Sequence, residues 1–231
     1  MDSIKLLLVE DDNSFRQITK DSLEMTGKYD VFDAKNGLDG YDAYKSFAPD
    51  VIVTDIDMPV MSGLEMIAKI RKEDPDIPIL ITSGMTDPKN IGKGYALEID
   101  NYIKKPYLPA ELDHCIKVIF RRINRTIKIN NEENKIYPLG LFSFDLKNHC
   151  LIREDEKTNL TTREAQILQL LYEDKGSVVK RKDILERFWG TDDYFNSRSL
   201  DVFVSKLRKC LEEDESVEIV TVRGEELRLS F

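Results

Sequence analysis

Along the first half of the chain, apolar residues come in short runs rich in Leu, Val and Ile. The runs are Ile4 to Val9, Asp30 to Ala34, Val51 to Thr54, Pro78 to Thr82 and Asn101 to Ile103. Between them lie stretches with helical spacing of apolar positions, near Phe15 to Met25, Leu38 to Phe47, Gly63 to Lys72, Pro88 to Leu97 and Pro109 to Arg122. Five strands alternating with five helices predict a doubly wound, five-stranded parallel sheet. The near-continuous apolar runs suit strands covered on both faces.

The pattern stops at 123–137, where Asn and Glu cluster (NNEEN at 130–134), and this stretch reads as a linker between a first domain, 1–122, and a second, 138–231. The second domain opens with strand-like runs, Leu141 to Asp145 and His149 to Arg153. Thr161, Thr162 and Glu164 spell a helix start before Arg163 to Tyr172. Further helices are expected near Arg181 to Trp189, ending at Gly190, and from about Arg198 to Glu213. Two strands, Glu218 to Val222 and Glu226 to Ser230, flank the turn Arg223-Gly224-Glu225. Strands, three helices and a closing hairpin are the order of an α+β winged helix-turn-helix.

Composition narrows the class. The 231 residues are 41% hydrophobic and 33% charged, which suits two globular domains. No apolar run approaches the roughly 20 residues of a membrane span. No export signal is read at the N-terminus, and no membrane partner is expected. Three cysteines, Cys115, Cys150 and Cys210, lack pairing or metal spacing and suit a reducing cytoplasm. The net charge is −9, divided as −6 over 1–122 and −4 over 138–231, with +1 between. Any nucleic-acid contact must therefore use a local basic face, with weak non-specific affinity.

Ligands of open parallel sheets sit outside the carboxyl ends of the strands. Glu10 and Asp11 follow the first strand there, Asp55 ends the third, Ser83 ends the fourth and Lys105 follows the fifth. Carboxylates about 4 Å apart repel by several kcal/mol at an effective dielectric near 20. A hard divalent cation relieves that repulsion, and an oxygen-only donor set with few side chains suits Mg²⁺. A carboxylate beside such an ion can attack a phosphoryl group, with Lys105 and Ser83 supplying a cation and a donor to the moving charge. A cis bond between Lys105 and Pro106 would aim the lysine into the pocket. Asp55-Ile56-Asp57 also resembles the Asp-x-Asp of haloacid-dehalogenase-type phosphatases, but Pro59 and the early acidic pair depart from that pattern.

The segments VEDD (9–12), VTDIDMPVMSG (53–63), ITSG (81–84) and DNYIKKPY (100–107) resemble a bacterial response-regulator receiver domain. The resemblance implies that Asp55 is the phosphoacceptor, with a sensor histidine kinase as donor. It implies a Mg²⁺ site of Glu10, Asp11, Asp55 and the backbone carbonyl of Asp57. Ser83 becomes the hydroxyl that moves toward the phosphoryl group, Lys105 its ion partner and Tyr102 the aromatic that swings inward.

In the second domain, Leu200, Val204, Leu207 and Leu211 form an apolar stripe, opposite Arg198, Ser199, Val202, Ser205, Lys206 and Lys209 with Arg208 flanking. LTTREAQILQLL (160–171), ILERFWG (184–190), SRSLDVFVSKLRKCLE (197–212) and TVRG (221–224) resemble the effector domain of OmpR/PhoB-class response regulators. That implies a phosphorylation-gated regulator of transcription, not an enzyme, which binds double-stranded DNA as a homodimer. The alternative is a DNA-binding regulator indifferent to phosphorylation. Arg198, Ser199, Val202, Lys206, Arg208 and Lys209 become the DNA contacts, and Arg223 the wing contact. Glu225 and Glu226 stand where the family's wing continues with glycine and an aromatic, so weak wing binding is expected. The family's dimer face keeps Asp100, Glu111 and Arg122 here, but Asn101, Cys115 and Ile91 replace charged partners, which predicts weaker dimerisation.

Overall fold

The computed structural model describes residues 3–84, 94, 97–130, 136–190, 192 and 194–231, with backbone alone at 122–130 and 194–195. The chain divides into two compact units, 1–119 and 120–231.

In the first unit, β1 (Ile4–Val9), β2 (Tyr29–Ala34), β3 (Val51–Asp55), β4 (Ile79–Ser83) and β5 (Asn101–Lys104) form one sheet in the order β2-β1-β3-β4-β5. Every pairing is parallel. Leu6, Leu7, Val9, Val51, Ile52, Val53, Ile79, Leu80 and Ile81 are fully buried, as expected for strands covered on both faces. The helices are α1 (Asn13–Glu24), α2 (Gly37–Phe47), α3 (Gly63–Glu73) and α4 (Pro109–Asn130). Asp12 caps α1 by accepting from the Phe15 N–H, and a reciprocal Ser62–Glu65 capping box opens α3. The helix expected over Pro88 to Leu97 lies almost wholly outside the described residues. The segment expected as a linker, 123–137, is helical up to Asn130 and enters a strand at Ile136.

The loop from β3 to α3 holds an unusual turn. Met61 N–H donates to Pro59 C=O at 2.8 Å, and Val60 between them has φ 71° while 77% exposed. This is the rare, strained form of γ-turn, and a β-branched residue fits it poorly. Glycine would remove most of that strain, which for such backbone amounts to about 1–3 kcal/mol, against its own entropy cost of about 0.5–1 kcal/mol. Val60→Gly is therefore expected to raise the denaturation midpoint, equivalent to about 1 kcal/mol. A midpoint that fell would show that the turn carries no strain.

The second unit begins with a four-stranded antiparallel sheet, β6 (Ile136–Leu139), β7 (Phe142–Asp145), β8 (Cys150–Arg153) and β9 (Glu156–Asn159), in chain order. Helices α5 (Thr162–Glu173), α6 (Arg181–Trp189) and α7 (Tyr194–Leu211) follow. Thr161 and Glu164 close the expected capping box, and Gly190 ends α6 in the left-handed region at φ 82°. A second sheet, β10 (Val179–Lys180), β12 (Glu226–Ser230) and β11 (Glu218–Val222), completes the unit in the order β10-β12-β11. The predicted stripe Leu200, Val204, Leu207 and Leu211 is buried, packed in one core with Phe144, Ile167, Leu171, Leu185, Trp189 and Leu227. The hairpin turns through Arg223 and Gly224, both at positive φ, with Glu225 N–H donating to Val222 C=O.

Candidate functional site

The acidic pocket lies where the winding of the sheet reverses, between β1 and β3. Strand register sets its contents. Val9 lies opposite Thr54, Asp55 opposite Thr82, and Ser83 opposite Lys104. Glu10, Asp55, Ser83 and Lys105 therefore emerge side by side from four adjacent strands. Gly63 permits the tight packing behind Asp55, for a Cβ there would sit 1.9 Å from the Asp55 carbonyl oxygen.

Glu10, Asp55 and Ser83 are buried, whereas Asp11 and Asp57 face solvent. Carboxylate oxygens of Glu10, Asp11 and Asp55 lie within 4.8 Å of one another. Lys105 Nζ donates to Glu10 Oε2 at 2.5 Å and to Asp55 Oδ2. The other Asp55 oxygen accepts from the Ile56 N–H at 2.5 Å and from the Asp57 N–H at 3.4 Å. The Lys105–Pro106 bond is cis. Burial pushes the Glu10 carboxyl above its ordinary range, against the opposing pull of Lys105. Burial would lower the Lys105 ammonium, but its hydrogen bonds to Asp55 and Glu10 prevail and hold it raised.

Tyr102 is 4% exposed, turned into the domain, where burial raises its hydroxyl against a hydrogen bond with Ser83. Two aromatic residues not anticipated from sequence wall the lysine. Lys105 Nζ lies 5.0 Å from the Phe15 ring centroid, and Phe15 meets Tyr107 edge to face at 5.1 Å. Tyr107 is buried, and that burial raises its hydroxyl to about 12. Phe15 and Tyr107 belong to apolar positions of ordinary pattern, so nothing in the spacing marks them. Three carboxylates against one ammonium leave a net negative pocket of oxygen donors, with Asp11 open to water. That donor set fits a hard divalent cation.

The second unit presents another candidate surface on α7. Arg198 and Lys209 are exposed, and Val202 and Lys206 are half-buried. One expected contact needs correction, and another is partly engaged within the domain. Ser199 is 1% exposed and points into the core, so it cannot face a groove. Arg208, the other, stays exposed, but Nε donates to Ile219 C=O and a terminal nitrogen to Thr221 Oγ1, each at 2.8 Å, so the guanidinium is steered toward β11 with part of its donor set already used. Arg223 is exposed at the hairpin turn beside exposed Glu225. Of the expected dimer face, Glu111 is exposed, and the side chain of Arg122 lies outside the described residues. Asp100 is 9% exposed, accepts from the Ile79 N–H at 2.9 Å and lies 3.9 Å from Arg71.

A parallel-sheet unit with an acidic pocket, joined to a winged helix-turn-helix, is the architecture of a two-domain transcriptional response regulator. Residues 6–117 match the response regulator receiver domain, and residues 155–226 match the C-terminal domain of transcriptional regulatory proteins. The transcriptional regulatory protein RprY of Bacteroides fragilis (strain YCH46) is 32% identical over 228 residues, 99% of this chain and 95% of that protein. The probable transcriptional regulator ycf27 of Porphyridium aerugineum is 33% identical over 97% of this chain and 95% of its own length. A solved mutant of RitR shares the fold, with a TM-score of 0.72 at 21% identity over 99% of both chains. The chain belongs to the OmpR/PhoB-type response regulators: it is a two-component regulator of transcription.

Proposed function

We propose that Asp55 accepts a phosphoryl group from a sensor histidine kinase and that this event governs binding of the second domain to double-stranded DNA. The observation that carries the reading is the convergence of Glu10, Asp55, Ser83 and Lys105 at neighbouring strand ends, with Lys105 bridging both buried acids.

Glu10, Asp11, Asp55 and the backbone carbonyl of Asp57 would hold Mg²⁺. The ion, when bound, supplies charge neutralisation to the phosphoryl oxygens. An Asp55 carboxylate oxygen forms the bond to phosphorus as the bond from phosphorus to the kinase histidine nitrogen breaks. Lys105 stays within reach to balance the charge brought in. Ser83 donates its hydroxyl to the new phosphoryl oxygens, and Tyr102, already inward beside Ser83, is held there. The change shifts the population between two packings of the domain, and the phosphorylated form dimerises through the face that includes Asp100, Glu111 and Arg122. A dimer presents two α7 helices to two half-sites, which raises affinity through effective concentration. Arg198, Val202, Lys206, Arg208 and Lys209 are the groove and phosphate contacts of this reading, with Arg223 a weak wing contact beside Glu225.

This reading keeps a receiver over 1–122 and a DNA-binding domain over 138–231, although α4 runs on to Asn130 and β6 begins at Ile136. Among the described residues, no helix is long and apolar enough to cross a membrane. In this reading the protein works in the cytoplasm, where its DNA target would lie, as a switch without turnover of external substrates.

Intact mass after incubation with Mg²⁺ and a small acyl-phosphate donor tests the reading, with Asp55→Asn alongside. One added phosphoryl group in the unmodified protein and none in the variant is the expected result. No adduct, under conditions that label a control receiver, would leave DNA binding independent of phosphorylation as the better account. Turnover of a small phosphate ester would point to a phosphatase.

A further inference from the structure

An exposed carboxylate on a helix that meets DNA is electrostatically adverse, because every phosphate nearby repels it. Asp201 is such a residue, with its side chain 46% exposed in the first turns of α7, three residues after Arg198. Its surroundings give it another use. Arg181, the first residue of α6, donates from one terminal nitrogen to Asp201 Oδ1 at 2.7 Å, and to Ser197 C=O and Ser197 Oγ at 3.2 Å each. The Arg181 side chain is only 14% exposed, so these bonds lie in a partly desolvated seam where charge-assisted hydrogen bonds are strong. Arg198 lies on the other side of the same carboxylate, with 3.9 Å between the nearest nitrogen and oxygen. The backbone N–H of Arg181 donates to Glu225 C=O at 2.8 Å, in the hairpin turn. One residue thus connects the start of α6, the first half of α7 and the tip of the wing.

We infer that Asp201 is a positioning residue for DNA binding: it fixes Arg181 and Arg198, and through Arg181 sets the wing and α7 relative to each other. The inference rests on the DNA-binding reading above. Its chemistry predicts the opposite of simple charge counting. Without the carboxylate, Arg181 loses the acid that it meets at 2.7 Å, and Arg198 loses one charged neighbour at 3.9 Å. The seam then loosens, and the cations no longer meet phosphates together.

The test measures binding of the full-length protein to a random-sequence duplex of about 30 base pairs at several salt concentrations. Asp201→Asn, although it deletes a negative charge from the DNA side, is expected to bind roughly fivefold to tenfold more weakly, with the slope of log affinity against log salt reduced by about one. Arg181→Lys keeps the charge but loses the planar fork, and is expected to weaken binding in the same way. Amide hydrogen exchange without DNA supplies a second readout, in which Asp201→Asn should speed exchange at the Arg181 N–H. Binding by Asp201→Asn as tight as the parent or tighter would overturn the inference, as would unchanged exchange at Arg181. If the parent protein fails to bind the duplex even at low salt, its non-specific affinity is too weak for the binding arm, the DNA-binding reading is tested on genomic fragments instead, and exchange at Arg181 alone decides whether Asp201 holds the seam.

Discussion

Lys105→Met is expected to slow formation of the Asp55 phosphoryl adduct by about a hundredfold to a thousandfold, the usual loss when one preorganised charge donor leaves a reacting centre. The structure gives two reasons. Lys105 Nζ is the one cation that reaches Asp55 among the described hydrogen bonds, and it reaches Glu10 at the same time. Removing it leaves two buried carboxylates facing each other, and Glu10, already raised by burial, rises further. Breaking one side of a buried ion pair costs about 3–5 kcal/mol, so the variant should also be less stable. Added Mg²⁺ should restore much of that stability, because a divalent ion answers the same repulsion. Adduct formation is followed by intact mass over time and stability by denaturation with and without Mg²⁺. A variant labelled at the parental rate would show that Lys105 acts after phosphoryl transfer and not during it.

Gly63→Ala should be the most damaging single-methyl change in the first domain. The added Cβ would stand 1.9 Å from the Asp55 carbonyl oxygen and 3.0 Å from the Asp55 carbonyl carbon and from Thr54 Oγ1. Neither Asp55 backbone atom can yield as a side-chain tip does, because Asp55 sits in β3, paired with β4. Gly63 N–H also donates to Ile56 C=O at 2.9 Å, so α3 cannot simply swing away. Overpacking against backbone costs typically about 1–3 kcal/mol, and this contact belongs at the upper end. Because the displaced atoms carry Asp55, phosphorylation should fall along with stability. Gly27→Ala is the control, since nothing lies within 4 Å of its Cβ and only its φ of 69° resists. A Gly63→Ala change no more costly than Gly27→Ala would show that the approach of α3 to β3 yields easily, since Gly63 is not among the positive-φ glycines.

Much of this fold is legible in the sequence, for identifiable reasons. Runs such as Leu6 to Val9 and Val51 to Val53 are apolar at successive positions, which only a doubly covered strand tolerates, and their carboxyl ends then locate Glu10 and Asp55 without further information. The second domain yields less. β9 (Glu156–Asn159) is exposed at every position and carries no apolar period, because it forms through pairing with β8 alone. The helix α4 runs past Arg122, where Ile123 and Ile127 keep a four-residue spacing ahead of the Asn and Glu run at 130–134. The helical pattern puts Ser199 outward beside Arg198, yet Asn196, Ser199, Phe203 and Leu207 continue one buried stripe at helical spacing. A small polar residue on such a stripe is indistinguishable by type from one facing water. For Arg208 the partners lie eleven and thirteen residues away on β11, and no local pattern shows where a guanidinium of that length will end.

The anchoring of Arg208 on β11 has a kinetic corollary. Hydrogen bonds to a carbonyl and a hydroxyl leave the Arg208 charge intact but restrict its reach, and with a net charge of −4 over 138–231 the second domain attracts the phosphate backbone only feebly in the absence of the correct sequence. A chromosome offers on the order of 10⁶–10⁹ competing sites, and strongly basic regulators lie adsorbed on them for most of their lifetime. Copies of this protein would instead stay largely in the free pool, finding their operators by three-dimensional diffusion more than by sliding. Promoter occupancy would then follow the activated population closely, and a fading signal would clear the promoter without a reservoir of adsorbed molecules to refill it.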